Sequence, residues 1–162
     1  MPVLLSLLAA VIHEAGHFLA LLFCGVGLRD ISFSPAGFTI THGETLSFAK
    51  ENICLLAGIF MNLLFAPFGL LVGQPVFSAA NLTLALLNIL PIASFDGGRL
   101  LKNLLSLFLD PYPVSLLCAF LHWLFLFLLW AFGIFLLLFT GYNYSLFLTV
   151  ICLFVGTVRG DG

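Results

Sequence analysis

Charge is what this chain most lacks: only 7% of its residues are Asp, Glu, Lys or Arg. A soluble domain carries about 25% and needs that share to cover its surface. A water-soluble globule is therefore excluded, and most of the surface must face lipid. Basic residues are not in excess either. Five Lys and Arg against seven Asp and Glu leave a net charge of −2, which excludes the basic field that a nucleic-acid partner requires. The four cysteines, Cys24, Cys54, Cys118 and Cys152, form no CxxC pair and sit in or beside apolar runs. They read as small packing residues, and neither a disulfide nor a cysteine-held metal is expected. The first residues lack a basic stretch, and their apolar run continues through His17, so a cleaved signal peptide is not expected. No internal repeat, low-complexity tract or appended soluble domain is apparent.

What fills the chain instead is apolar: 62% of residues, with a mean hydropathy of +1.24. A helix needs about 20 residues to cross the hydrocarbon. Val3–Cys24 and Ile53 to about Val72 meet that length. A third run begins near Phe77, is interrupted around Pro91 to Gly98, and continues from Arg99 to Leu109 with one apolar face. A fourth covers Val114–Thr140, and a shorter one, Ser145–Val158, crosses wholly or in part.

The long connection Gly25–Asn52 alternates. Ile31 and Phe33 interleave with serines, Phe38 and Ile40 with Thr39 and Thr41, and Leu46 and Phe48 flank Ser47. Pro35-Ala36-Gly37 and His42-Gly43-Glu44 supply turn residues between these runs, which predicts short strands at the membrane surface. The expected architecture is an all-α polytopic membrane protein. It has a three-helix catalytic core with a broken third helix, a small interfacial β-hairpin, and one or two further C-terminal spans. Residues 1–162 read as one membrane domain, with the core at 3–109 and additional spans at 114–158. An outside N-terminus places Arg29, Lys50, Arg99, Lys102 and Arg159 all on the cytoplasmic side, as the positive-inside rule asks.

Chemistry concentrates in the first span, at His13-Glu14-Ala15-Gly16-His17. Positions i and i+4 share a helix face, so both imidazoles can reach one metal ion, which this pattern identifies as zinc. Glu14 lies one step round, where it can take a proton from a water at the metal. Ionisable groups within a lipid-buried helix are costly and mark functional sites; the competing reading has both imidazoles bonding to neighbouring helices around a neutral Glu14. Catalytic zinc takes three protein ligands and keeps a fourth position open, so a third ligand is expected. Asp30, Glu44, Glu51 and Asp110 fall in surface connections and Asp161 at the terminus, whereas Asp96 interrupts an apolar region. Pro91 removes a backbone donor and Gly97-Gly98 permits left-handed dihedrals, so a helix break is expected there that turns Asp96 inward. The alternative for Asp96 is an incidental helix-terminating residue.

HExxH in one span, followed two spans later by Asn88, Pro91 and Asp96-Gly97 spaced as NxxPxxxxDG, resembles the site-2 protease family of intramembrane zinc metalloproteases. Ala57-Gly58-Ile59-Phe60-Met61-Asn62 resembles a further family motif, AGPxxN, with Ile59 where the motif has Pro. The run Leu90-Pro91-Ile92 through Asp96-Gly97-Gly98-Arg99 is most similar to the branch that processes a bacterial sporulation pro-sigma factor. The resemblance covers about residues 3–109. It implies His13, His17 and Asp96 as zinc ligands and Glu14 as general base. It also implies Asn88 beside the reacting centre, binding substrate or the developing oxyanion, and Asn62 as a substrate-binding residue. Both amides could instead bond between helices. Neither His42, in the strand-rich connection, nor His122, beside Trp123, has a second ligand at metal spacing.

The implied activity is hydrolysis of peptide bonds in or near the span of a membrane-spanning or membrane-tethered protein, such as a tethered transcription factor. The strands could hold such a substrate extended by adding it as an edge strand. The implied location is a bacterial cell membrane, with the site towards the cytoplasm. The alternatives are a catalytically inactive scaffold or chaperone of the same fold, against which Glu14 speaks, and a metal transporter, which would want more than one ligand cluster.

Overall fold

The computed structural model describes residues 2–25, 28–34, 37–42, 46–140, 151 and 154–155. The chain divides into two units, Met1–Ile89 and Leu90–Gly162. Among the described residues, three helices are long and apolar enough to cross a membrane. The polytopic helical class fits that count.

The first unit comprises α1 (Pro2–Phe23), β1 (Leu28–Ser34), β2 (Gly37–His42), α2 (Phe48–Leu71) and α3 (Pro75–Ile89). Small residues decide how its helices meet. On α1, Ala9, His13, Gly16 and Ala20 are buried at intervals of four, three and four, one continuous stripe. The opposite face exposes Val3, Leu4, Leu7, Val11 and Leu22. Lipid tails are as apolar as leucine, so burying large side chains gives no advantage here; close backbone approach through small ones does. Gly16 shows how close: a Cβ there would sit 2.6 Å from the Ala57 carbonyl oxygen. The facing ridge of α2 is Cys54, Gly58, Asn62 and Ala66, four residues apart and all buried. Further along, Gly69 abuts the Ser78 backbone of α3, and Ser78 Oγ donates to the Ala66 carbonyl at 2.6 Å.

The connection after α1 begins where Lys50 Nζ donates to the Cys24 carbonyl at 2.8 Å, satisfying an acceptor that the helix end leaves open. β1 and β2 pair antiparallel, with Ile31 opposite Ile40 and Phe33 opposite Phe38, and an irregularity between Leu28 and Asp30. The alternation expected of Leu46 and Phe48 is not a strand. Phe48 opens α2, five residues before the expected start at Ile53, because Phe48 to Asn52 hold no helix breaker and Ser47 takes the extended N-cap conformation. α2 ends at Leu71 and is followed, after the cap residue Val72, by Gly73, whose φ of +70° is the left-handed conformation that terminates helices. α3 has 15 residues, about 22 Å of helix against a hydrocarbon core of about 30 Å.

The second unit contains an irregular segment from Leu90 to Phe95, then α4 (Asp96–Leu105) and α5 (Pro111–Thr140). The interruption is shorter than the expected Pro91–Gly98. Helix α4 starts at Asp96, three residues before the expected Arg99, and Gly97 and Gly98 lie inside it with no positive φ. Glycine permits left-handed dihedrals but does not demand them. What Gly98 supplies is space, since a Cβ there would collide with the Ile92 carbonyl. Pro91 and the restriction it places on Leu90 account for the break.

α5 carries Pro111 and Pro113 in its first turn, where backbone donors have no partner to lose. His122, Leu126, Leu129 and Gly133 form its buried stripe. His122 Nδ1 accepts the Ala93 N–H at 3.1 Å, tying the irregular segment to α5, and its ring stands edge-to-face on Trp123 with centroids 5.3 Å apart. The further expected span, Ser145–Val158, falls outside the described residues except for Ile151, Phe154 and Val155.

Candidate metal centre

His13 projects from the buried stripe of α1 and the half-buried His17 from beside it, and their Nε2 atoms lie 3.1 Å apart. Their rings are nearly perpendicular, with centroids 4.7 Å apart. Two imidazole nitrogens bound to one zinc at tetrahedral angles would stand about 3.3 Å apart, so the observed spacing fits a shared ion. The second nitrogen of His17 is held as well. Its Nδ1–H donates to the Cys54 carbonyl of α2 at 2.7 Å. A proton fixed on Nδ1 leaves the Nε2 lone pair as the ligating one, the usual arrangement behind a metal-bound histidine.

Gly58 makes room for the pair. A Cβ at that position would lie against His17 Nε2 and Cε1, and 2.8 Å from His13 Cε1. The cradle that a side chain would fill is where the two ligating edges sit. A one-turn register on α2 therefore performs two tasks: Cys54 offers its carbonyl and Gly58 its missing side chain. Glu14 is half-buried on α1, about 100° round the helix from His13.

The two asparagines differ. Asn62 is fully buried, one turn beyond Gly58, and neither Oδ1 nor Nδ2 has a hydrogen-bond partner among the described residues. Asn88, half-buried near the end of α3, donates from Nδ2 to the Leu84 carbonyl of its own helix at 3.0 Å. In the second unit, Asp96 is buried as the first residue of α4, where a carboxylate is favoured by the positive end of the helix dipole. It stands at a helix start and not in the break itself.

Sequence reasoning did not single out the Cys54 carbonyl, which carries no side-chain signal beyond its place four residues before Gly58. It also passed over Asn81 of α3. That residue is fully buried, with Nδ2 bonded to the Phe77 carbonyl and Oδ1 without a partner among the described residues.

No family model matches this chain, and no curated protein matches it. Its fold is similar to a solved structure, the Site-2 Protease from Methanocaldococcus jannaschii. The TM-score is 0.70 at 22% sequence identity, covering 96% of this chain and 75% of that one.

Proposed function

We propose that this chain is a zinc-dependent intramembrane endopeptidase. The observation that carries the reading is the paired His13 and His17 Nε2 atoms, 3.1 Å apart within a membrane-length helix, with Glu14 between them in sequence. The donor set proposed to hold the metal is His13, His17 and Asp96, two imidazoles and a carboxylate, a combination typical of catalytic zinc with one position left open. The similarity in fold to a site-2 protease supports this assignment.

When bound, zinc would polarise the scissile carbonyl and lower the pKa of water at the site towards ~7. Glu14 takes the proton of the attacking water and returns it to the leaving amine. The Cys54 carbonyl keeps His17 in the ligating tautomer throughout. Asn62, whose buried amide has no partner among the described residues, offers a donor and an acceptor to an unwound substrate backbone. Asn88 would supply a second amide on rotating away from its own helix. Among the described residues, the two-stranded sheet leaves an open edge on each of β1 and β2, where an extended segment could add as a further strand. The substrate class is a single-span or membrane-tethered protein. By the positive-inside pattern, the site would open to the cytoplasm.

A zinc chelator is expected to abolish cleavage of a single-span substrate by the purified protein in lipid vesicles, and added zinc to restore it. Product analysis by mass spectrometry should place the cut in or near the span. Cleavage that continues unchanged after the metal is stripped would overturn the reading.

A further inference from the structure

The second unit holds a cavity of about 450 Å³ between the irregular segment, α4 and α5. Its polar lining includes Arg99, Lys102 and Ser94, and no acidic side chain is among its walls within the described residues. Arg99 and Lys102 are three residues apart on α4, on one helix face, and are two of only five basic residues in the chain. Concentrating them in one concavity of a protein so poor in charge defines a local cationic site. Trp123 lines the same cavity and also a second one, of about 390 Å³, whose walls among the described residues are apolar side chains of α5 together with Ile151 and Phe154. A cationic pocket thus adjoins an apolar groove, with an indole at the junction, where tryptophan commonly marks the boundary between headgroups and hydrocarbon.

We infer that this pair of cavities binds an anionic phospholipid, its phosphate headgroup against Arg99 and Lys102 and one acyl chain along Trp123, Leu126, Phe127 and Trp130. Charge complementarity selects the headgroup, since basic pockets between membrane helices favour anionic lipids. The apolar continuation selects a lipid over a free ion. A guanidinium and an ammonium together provide a forked and a point-charge donor for phosphate oxygens. None of these residues belongs to the proposed metal centre, so the inference stands or falls separately from the proposed activity.

Trp123 and Trp130 are the only tryptophans in the chain and both line the apolar groove, so their fluorescence reports on its occupancy. The protein is reconstituted in phosphatidylcholine vesicles and titrated with brominated-chain phosphatidylglycerol or brominated-chain phosphatidylcholine. The anionic lipid is expected to reach half-quenching at a mole fraction roughly thirtyfold lower, the ratio that two cations at a membrane surface can supply. R99Q/K102Q should bring the two curves together, while R99K/K102R, which keeps both charges, should preserve the preference. Excess inorganic phosphate should not displace the lipid. Equal quenching by the two lipids in the wild type, or an undiminished preference in R99Q/K102Q, would overturn the inference. Loss of the preference in inorganic phosphate would also overturn it, by assigning the pocket to the free ion.

Discussion

Replacing Glu14 by Gln is expected to slow cleavage of a single-span substrate by a factor of about 10²–10⁴, the range that a positioned general base contributes. The substitution keeps the shape and polarity of the side chain and removes only its capacity to take a proton. His13 and His17 are untouched, and so is the Cys54 carbonyl that orients His17, so metal content should stay at the wild-type level. The combination is diagnostic. A scaffold or chaperone of the same fold would show no difference between the two proteins in any assay of partner binding, and neither would cut. Cleavage by Glu14→Gln at the wild-type rate would assign the proton transfer elsewhere.

Gly58→Ala should have an effect of similar size by a different route. The added methyl occupies the place of His17 Nε2 and crowds His13 Cε1. One way to relieve the clash is for α1 to move away from α2, but Gly16 is packed just as tightly on the Ala57 carbonyl, so that movement loosens a second contact. The other way is for the imidazoles to rotate, which breaks the bond from His17 Nδ1 to Cys54 and the Nε2 spacing together. Overpacking of this kind costs about 1–3 kcal/mol, and a displacement of about 1 Å at a reacting centre can cost a hundredfold in rate. Zinc affinity and cleavage should therefore fall together in Gly58→Ala, with a lower thermal midpoint. Wild-type zinc affinity in this variant would show that the cradle at Gly58 is incidental.

Much of the site is legible in the sequence, because membranes make polar residues conspicuous. His13-Glu14-Ala15-Gly16-His17 could be read because a spacing of four fixes a shared helix face, and the rings do converge there. Gly58 and Asn62 could be flagged by motif, but not explained: the reason for the glycine is a missing Cβ against two rings, which only packing reveals. Sequence and structure part where one residue type serves two ends. Gly97-Gly98 suggested a left-handed break, yet both are helical and Gly98 serves close packing on the Ile92 carbonyl. Leu46-Ser47-Phe48 suggested a strand, yet three residues of alternation are too few to separate a strand from the entry to α2. The bond from Ala93 to His122 was invisible because it joins backbone to a side chain 29 residues away. No local pattern encodes such a pairing.

Everything proposed for the activity requires a metal held by two imidazoles and a carboxylate, so zinc stoichiometry is the most direct test. Wild-type protein, purified and freed of loosely bound metal, should carry one zinc per chain. His17→Ala and Asp96→Ala should each carry far less, while their helical content by circular dichroism stays unchanged. A wild-type chain that binds no zinc, or an Asp96→Ala chain that keeps its full equivalent, would contradict the three-ligand centre proposed for this protein.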